Sequence, residues 1–157
     1  MRLLAVLLAL FAGPASASEE HQDLVLNCLA NISTTTNWNT CLNLMFEPCV
    51  GEEIGSDGHV ACLFQQQVDW HNAKIKTEAV LLKRLSEGGV EELSGLMLSW
   101  PTFVKDKCQA VGESRASISF DAARLGCEVS EHALVVNEFQ SCLSGRSTEA
   151  YCELKED

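Results

Sequence analysis

Between Ser18 and Ala73 the chain has no lysine or arginine, although the stretch holds Glu19, Glu20, Asp23, Glu47, Glu52, Glu53, Asp57 and Asp69. A surface so poor in positive charge repels nucleic acid and anionic lipid and attracts basic partners. After Phe11 no apolar run approaches the ~20 residues that span a bilayer, so membrane insertion is not expected of the mature chain. No two Cys lie as close as the C-x-x-C spacing that structural zinc sites favour. H-E-x-x-H, G-x-S-x-G, the P-loop and the dinucleotide fingerprint are all missing. The four His (His21, His59, His71 and His132) fall in no metal frame. Glu52-Glu53 and Glu91-Glu92 are adjacent carboxylates, which point different ways on a helix and read as solvated surface rather than an acid/base pair. A catalytic thiolate is also missing if every Cys is bridged. No catalytic residue, cofactor or metal is therefore expected, and the protein reads as a non-enzyme.

What is present points to export. Met1-Arg2 is followed by the apolar run Leu3 to Phe11 and then by Ala12-Gly13-Pro14-Ala15-Ser16-Ala17. This is the pattern of a signal peptide over residues 1–17, with a small-residue cleavage site after Ala17. The expected location is periplasmic or secreted. The remaining 18–157 read as a single disulfide-rich domain that keeps all eight Cys: Cys28, Cys41, Cys49, Cys62, Cys108, Cys127, Cys142 and Cys152. An even count behind an export signal implies four disulfides. Counting alone cannot pair them, since eight Cys admit roughly a hundred connectivities. The formal charge is −11; removing Arg2 leaves ten basic against 22 acidic residues, or −12. Asn31-Ile32-Ser33 fits the glycosylation sequon, which matters only in a eukaryotic secretory pathway.

The apolar spacing predicts an all-α fold of about four to five helices, with no convincing period-2 strand. Asp23 to Leu29 suits a short helix. A second helix carries Trp38, Cys41, Leu42 and Met45 and stops at Pro48. Gly51 to Gly58 is a loop rich in turn residues. A long helix is predicted from about His59 to Leu85, ended by Gly88-Gly89. A fourth holds Val90, Leu93, Leu96, Met97, Trp100, Phe103 and Val104. Pro101 either kinks it or opens a new helix capped by Ser99. Val111 to Ser119 is predicted to be a loop. A last long helix starts near Phe120 and is closed by Gly145.

The ordered Cys and Trp frame carries a resemblance. Cys28, Cys41, Cys49, then Cys62 with Trp70, then Trp100-Pro101-Thr102-Phe103 with Cys108, then Cys127, resembles the LprI-type lysozyme-inhibitor domain, a family of exported bacterial helical proteins. The likeness covers roughly Asp23 to Cys142. The polar signature differs: His71, Lys74, Ile75 and Glu78 follow the first Trp, and Met97, Val104 and Lys105 flank the second, where the family has other residues. The resemblance therefore speaks for a shared fold more than for a shared partner. It implies the bridges Cys49–Cys62 and Cys108–Cys127, leaving Cys28–Cys41 and Cys142–Cys152 to pair locally. Trp70, Trp100 and Phe103 are expected in the core.

The same resemblance implies an exported binding protein that inhibits lysozyme or a related wall hydrolase. An acidic inhibitor would be steered to a basic lysozyme. To face catalytic carboxylates its plug needs donors, which Ser114, Arg115 and Ser117 supply better than the acidic Gly51–Gly58 loop. The alternative is a helical envelope protein that binds a small apolar ligand or steadies a partner protein, with no hydrolase target. An internal cavity lined by Leu, Val and Phe would favour this alternative. A protruding loop with Arg115 at its tip would favour inhibition.

Overall fold

The computed structural model describes residues 19–31, 35–115 and 117–155. The expected signal peptide, Ile32 and Ser33 of the sequon, and Ala116 lie outside the described residues. Five α-helices follow in order: α1 (Glu19–Ala30), α2 (Thr35–Phe46), α3 (Asp57–Arg84), α4 (Glu87–Ser114) and α5 (Phe120–Leu143), with 3-10 turns at Glu47–Cys49 and Ala150–Cys152. Among the described residues there is no strand, only an isolated bridge between Leu85 and Leu154. Among the described residues no helix is long and apolar enough to cross a membrane. The fold is thus the all-α, disulfide-stapled bundle that the periodicity predicts.

Each of the three long helices starts on a serine. The hydroxyls of Ser56, Ser86 and Ser119 accept from the N–H groups of His59, Gly89 and Ala122. Asp57, Glu87 and Asp121 sit in the first turns, where the helix dipole favours negative charge. At the other end of α5, Gly145 adopts φ 69° and its N–H donates to the Cys142 carbonyl, which turns the chain out of the helix.

α5 is the axis of packing. α3 and α4 each lie along it rather than on one another, and α1 also packs against it. Its buried residues reach three apolar clusters. At one end Ala122 and Leu125 meet Leu63 and the Cys49 and Cys62 side chains. In the middle Val129, Ala133 and Val136 meet Trp70, Met45, Val25, Leu26 and Leu29. At the far end Phe139 and Cys142 meet Leu81, Leu85, Leu93 and Tyr151. All four disulfides pair as the resemblance implies: Cys28–Cys41, Cys49–Cys62, Cys108–Cys127 and Cys142–Cys152. They tie α1 to α2, the first 3-10 turn to α3, α4 to α5, and α5 to the C-terminal turn.

Four expectations need correction. Gly88-Gly89 does not end the long helix; it lies in the first turn of α4. α3 stops earlier because Leu85 turns extended, and Ser86 N–H and Lys155 N–H donate to the carbonyls of Glu153 and Arg84. The C-terminal segment passes so close that a Cβ on Gly89 would stand 2.7 Å from the Tyr151 carbonyl oxygen, which makes glycine necessary there. Second, Pro101 does not divide α4. The helix runs 28 residues through it, and Pro101 lies on the exposed side, where the lost hydrogen bond to the Met97 carbonyl costs least. Third, the helix continues to Ser114, so the predicted loop at Val111–Ser119 shrinks to Arg115–Ser119.

The fourth correction concerns the core. Trp70 is fully buried, as expected, whereas Phe103 is 55% exposed and Trp100 is only half-buried. The inward stripe of α4 runs through Leu93, Met97, Trp100, Val104, Cys108 and Gly112. Phe103 sits one residue, or about 100°, off that stripe, and the Lys107 ammonium lies over its ring at 5.7 Å.

Trp70→Ala is expected to cost about 3–5 kcal/mol through cavity formation, whereas Phe103→Ala should stay within about 0.5 kcal/mol. Urea denaturation of both variants checks this, and equal losses would refute the assignment. Peptide mapping without reduction should recover the four pairs, and removing Cys108–Cys127 should cost about 2–5 kcal/mol.

Candidate functional site

Small side chains on α5 create a concavity. Ala122, Ala123, Gly126, Cys127 and Ser130 recur on one face of its N-terminal half and leave space that larger residues would fill. α2 contributes Leu42 and Phe46, the following loop contributes Ile54, and the start of α3 contributes His59 and Leu63. Val111 and Arg115 from the end of α4, with Ile118, close the remaining side. The groove holds a volume of about 450 Å³, within the range of sites for small ligands. Cys49–Cys62 and Cys108–Cys127 pin its walls, and Gly112 lets α4 approach closely, since a Cβ there would stand 2.8 Å from the Phe120 ring.

The polar groups of this groove are few. Ser130 is committed, donating its hydroxyl to the Gly126 carbonyl at 2.9 Å. His59 Nδ1 accepts the Gly55 N–H at 3.2 Å, so neutral His59 carries its proton on Nε2. Gly55 supplies that N–H from φ 84°, which favours glycine. Among the described residues Arg115 is the one ionised side chain on the wall, and no carboxylate lines it.

The three residues singled out in the sequence do not act together. Ser114 is the last residue of α4, and its exposed hydroxyl donates to the Val111 carbonyl at 3.0 Å. Ser117 is exposed and does not line the groove. Of the three, Arg115 alone reaches the groove. Sequence reasoning missed His59, Ile54, Leu63 and Ile118 as partners. The available signal was Ala122-Ala123 and Gly126-Cys127, small residues clustered on a helix that is elsewhere bulky.

A second polar cluster lies farther along α5, roofed by Trp100. His132 is 4% exposed. Its Nδ1 donates to the Glu128 carbonyl at 2.7 Å, so in neutral His132 the Nε2 atom accepts from His71 Nδ1, 3.1 Å away. The Trp100 ring stands edge-on to His132 with centroids 5.1 Å apart. The Lys74 ammonium lies 5.2 Å from the Trp100 centroid and pairs with Glu78 at 2.6 Å. This explains why Trp100 is neither core nor free surface. Burial holds the His132 pKa below its ordinary value, His71 and Lys74 push the same way, and the Glu128 carbonyl and carboxylate oppose them. Among the described residues no group of three His, Cys, Asp or Glu is arranged to hold a metal. The cluster is closed on itself and leaves the groove as the better candidate site.

Because His132 takes up its proton below 6.5 when folded, the unfolded chain binds more protons than the native one between that lowered value and 6.5. Its contribution to stability is therefore complete above pH 6.5 and declines as pH falls below it. Proton NMR should show the His132 ring titrating with a midpoint under 6.5. A midpoint at or above that value would contradict the burial argument.

In comparison with known proteins, no family model, no curated protein and no solved structure matches this chain.

Proposed function

We propose that this is an exported, non-enzymatic binding protein that holds a small, mainly apolar ligand in the groove between α2, α3, α4 and the N-terminal half of α5. The carrying observation is the groove itself: about 450 Å³, walled by Leu42, Phe46, Ile54, Leu63, Val111 and Ile118, and pinned by two disulfides. A pre-formed apolar site loses little conformational freedom on binding, which favours affinity. Four bridges and the leader-like start at Met1 to Ala17 support a periplasmic or secreted location, where disulfides persist.

The competing reading, inhibition of a basic lysozyme, needs donors on a projecting loop. The α4–α5 connection spans only Arg115–Ser119. Its neighbour Ser114 bonds its own helix, and Arg115 lines the groove. These features favour the ligand-binding reading. The net charge, −11 for the whole chain and −12 once Arg2 is removed, would still draw any basic protein loosely, with an attraction that weakens as salt rises.

Gly126→Leu separates the two. A Cβ at Gly126 meets the Phe46 ring at an ordinary 3.9 Å, so the helix tolerates it while the larger side chain fills the groove. The oxidised protein should enhance N-phenyl-1-naphthylamine fluorescence and bind it with a micromolar Kd. Gly126→Leu should weaken binding at least about tenfold and leave the melting temperature equal or higher, because leucine is the better helix former. Equal binding by the variant, or no binding by either protein, overturns the reading. Complete inhibition of a lysozyme by both proteins would restore the competing one.

A further inference from the structure

We propose that the ligand of this groove is an amphipathic anion, an apolar tail with an acidic head held by Arg115 and by the Nε2–H of His59. The inference rests on the ligand-binding reading above and gives the ligand its chemical class.

Its first support is the state of Arg115. The other arginines of the described residues are engaged. Arg84 reaches the Leu143 carbonyl, Arg124 pairs with Glu128 and Asp121, and Arg146 donates to Ser144 and approaches the Ala30 carbonyl. Among the described residues Arg115 has no carboxylate within ion-pair distance, in a chain with twice as many acidic as basic residues. Among the described residues its guanidinium is the one formal charge on a wall that is apolar apart from His59 and Ser130. Arg115 is exposed where it lines the groove, and its planar guanidinium matches the two oxygens of a carboxylate.

The second support is His59. Gly55 occupies Nδ1, so the remaining ring nitrogen of neutral His59 can only donate. Ser130 offers no free hydroxyl proton to the site. The fixed polar groups of the groove are thus donors, and they ask for an acceptor. A neutral hydrocarbon would leave both unused. A cationic amphiphile would meet Arg115 with like charge. The strong negative charge of the rest of the protein does not cancel this preference, because it is screened over about 8 Å at physiological salt while the head would contact Arg115 directly.

A cation at this position also suits the negative end of α4. A melting measurement reads that role, and a head-group preference does not. The test therefore compares decanoate with decanol by competition against N-phenyl-1-naphthylamine at pH 7.5, for the oxidised wild-type protein, Arg115→Ala, Arg115→Lys and Arg146→Ala. Wild type should prefer decanoate about tenfold, as one charge-assisted contact would give. Arg115→Ala should bring the two ligands within about twofold, Arg115→Lys should keep part of the preference, and Arg146→Ala all of it. Equal wild-type affinity for both ligands overturns the head-group inference and leaves the groove reading standing. A decanoate preference that survives in Arg115→Ala also overturns it. Binding of neither ligand defeats the groove reading, and this inference with it.

Discussion

The burial of α5 along its length governs everything else. Ala122, Leu125, Val129, Ala133, Val136, Phe139 and Cys142 recur at three- and four-residue steps and supply part of each apolar cluster. α3 and α4 find their main helix partner in α5, and α1 packs on both α2 and α5. Even the buried polar residues obey this. His132 belongs to α5, and its proton inventory closes within the Glu128 carbonyl, His71 and the roof of Trp100.

Residue volume along that helix then divides the molecule by role. Toward its C-terminus α5 fills space with Phe139, against Leu81, Leu93 and Tyr151, and the tail is tied down by the Leu85–Leu154 bridge. Toward its N-terminus the residues are Ala122, Ala123 and Gly126, and the neighbouring helices cannot collapse into the space they leave. Two disulfides tether the walls of that space, one joining the turn after α2 to α3 and the other joining α4 to α5. A single compositional gradient on one helix thus yields a packed end and a concave end, and the concave end collects the guanidinium of Arg115, which pairs with no carboxylate among the described residues.

Much of the fold was legible. Long helices, the closing role of Gly145 and the buried Trp70 follow from periodicity and from one residue's conformational needs. The cysteine pairing was legible only through the resemblance, since counting leaves roughly a hundred options. The misreadings share a cause. Gly88-Gly89 looks like a terminator because glycine favours helix ends, but Tyr151 and Glu153, more than sixty residues away, set the requirement for a small residue. Phe103 and Val104 are both apolar neighbours, and periodicity alone does not say which of them faces α5. Arg115 was picked out, but as the tip of a loop; that it lines a groove depends on Leu42, Ile54, His59 and Leu63, which come from three other parts of the chain. Concavity is a relation among distant segments, and a local pattern carries little of it.

The bridges also have an order. Read from the N-terminus, the first Cys pairs with the second, the third with the fourth, the fifth with the sixth and the seventh with the eighth, at separations of 13, 13, 19 and 10 residues. When a chain emerges from a translocation pore N-terminus first, each thiol of such a set meets its proper partner before any later one has appeared. Oxidation in order of emergence therefore produces the native set directly. If exported, a protein wired this way would call for an oxidant at the exit of the pore more than for an isomerase to reshuffle wrong pairs.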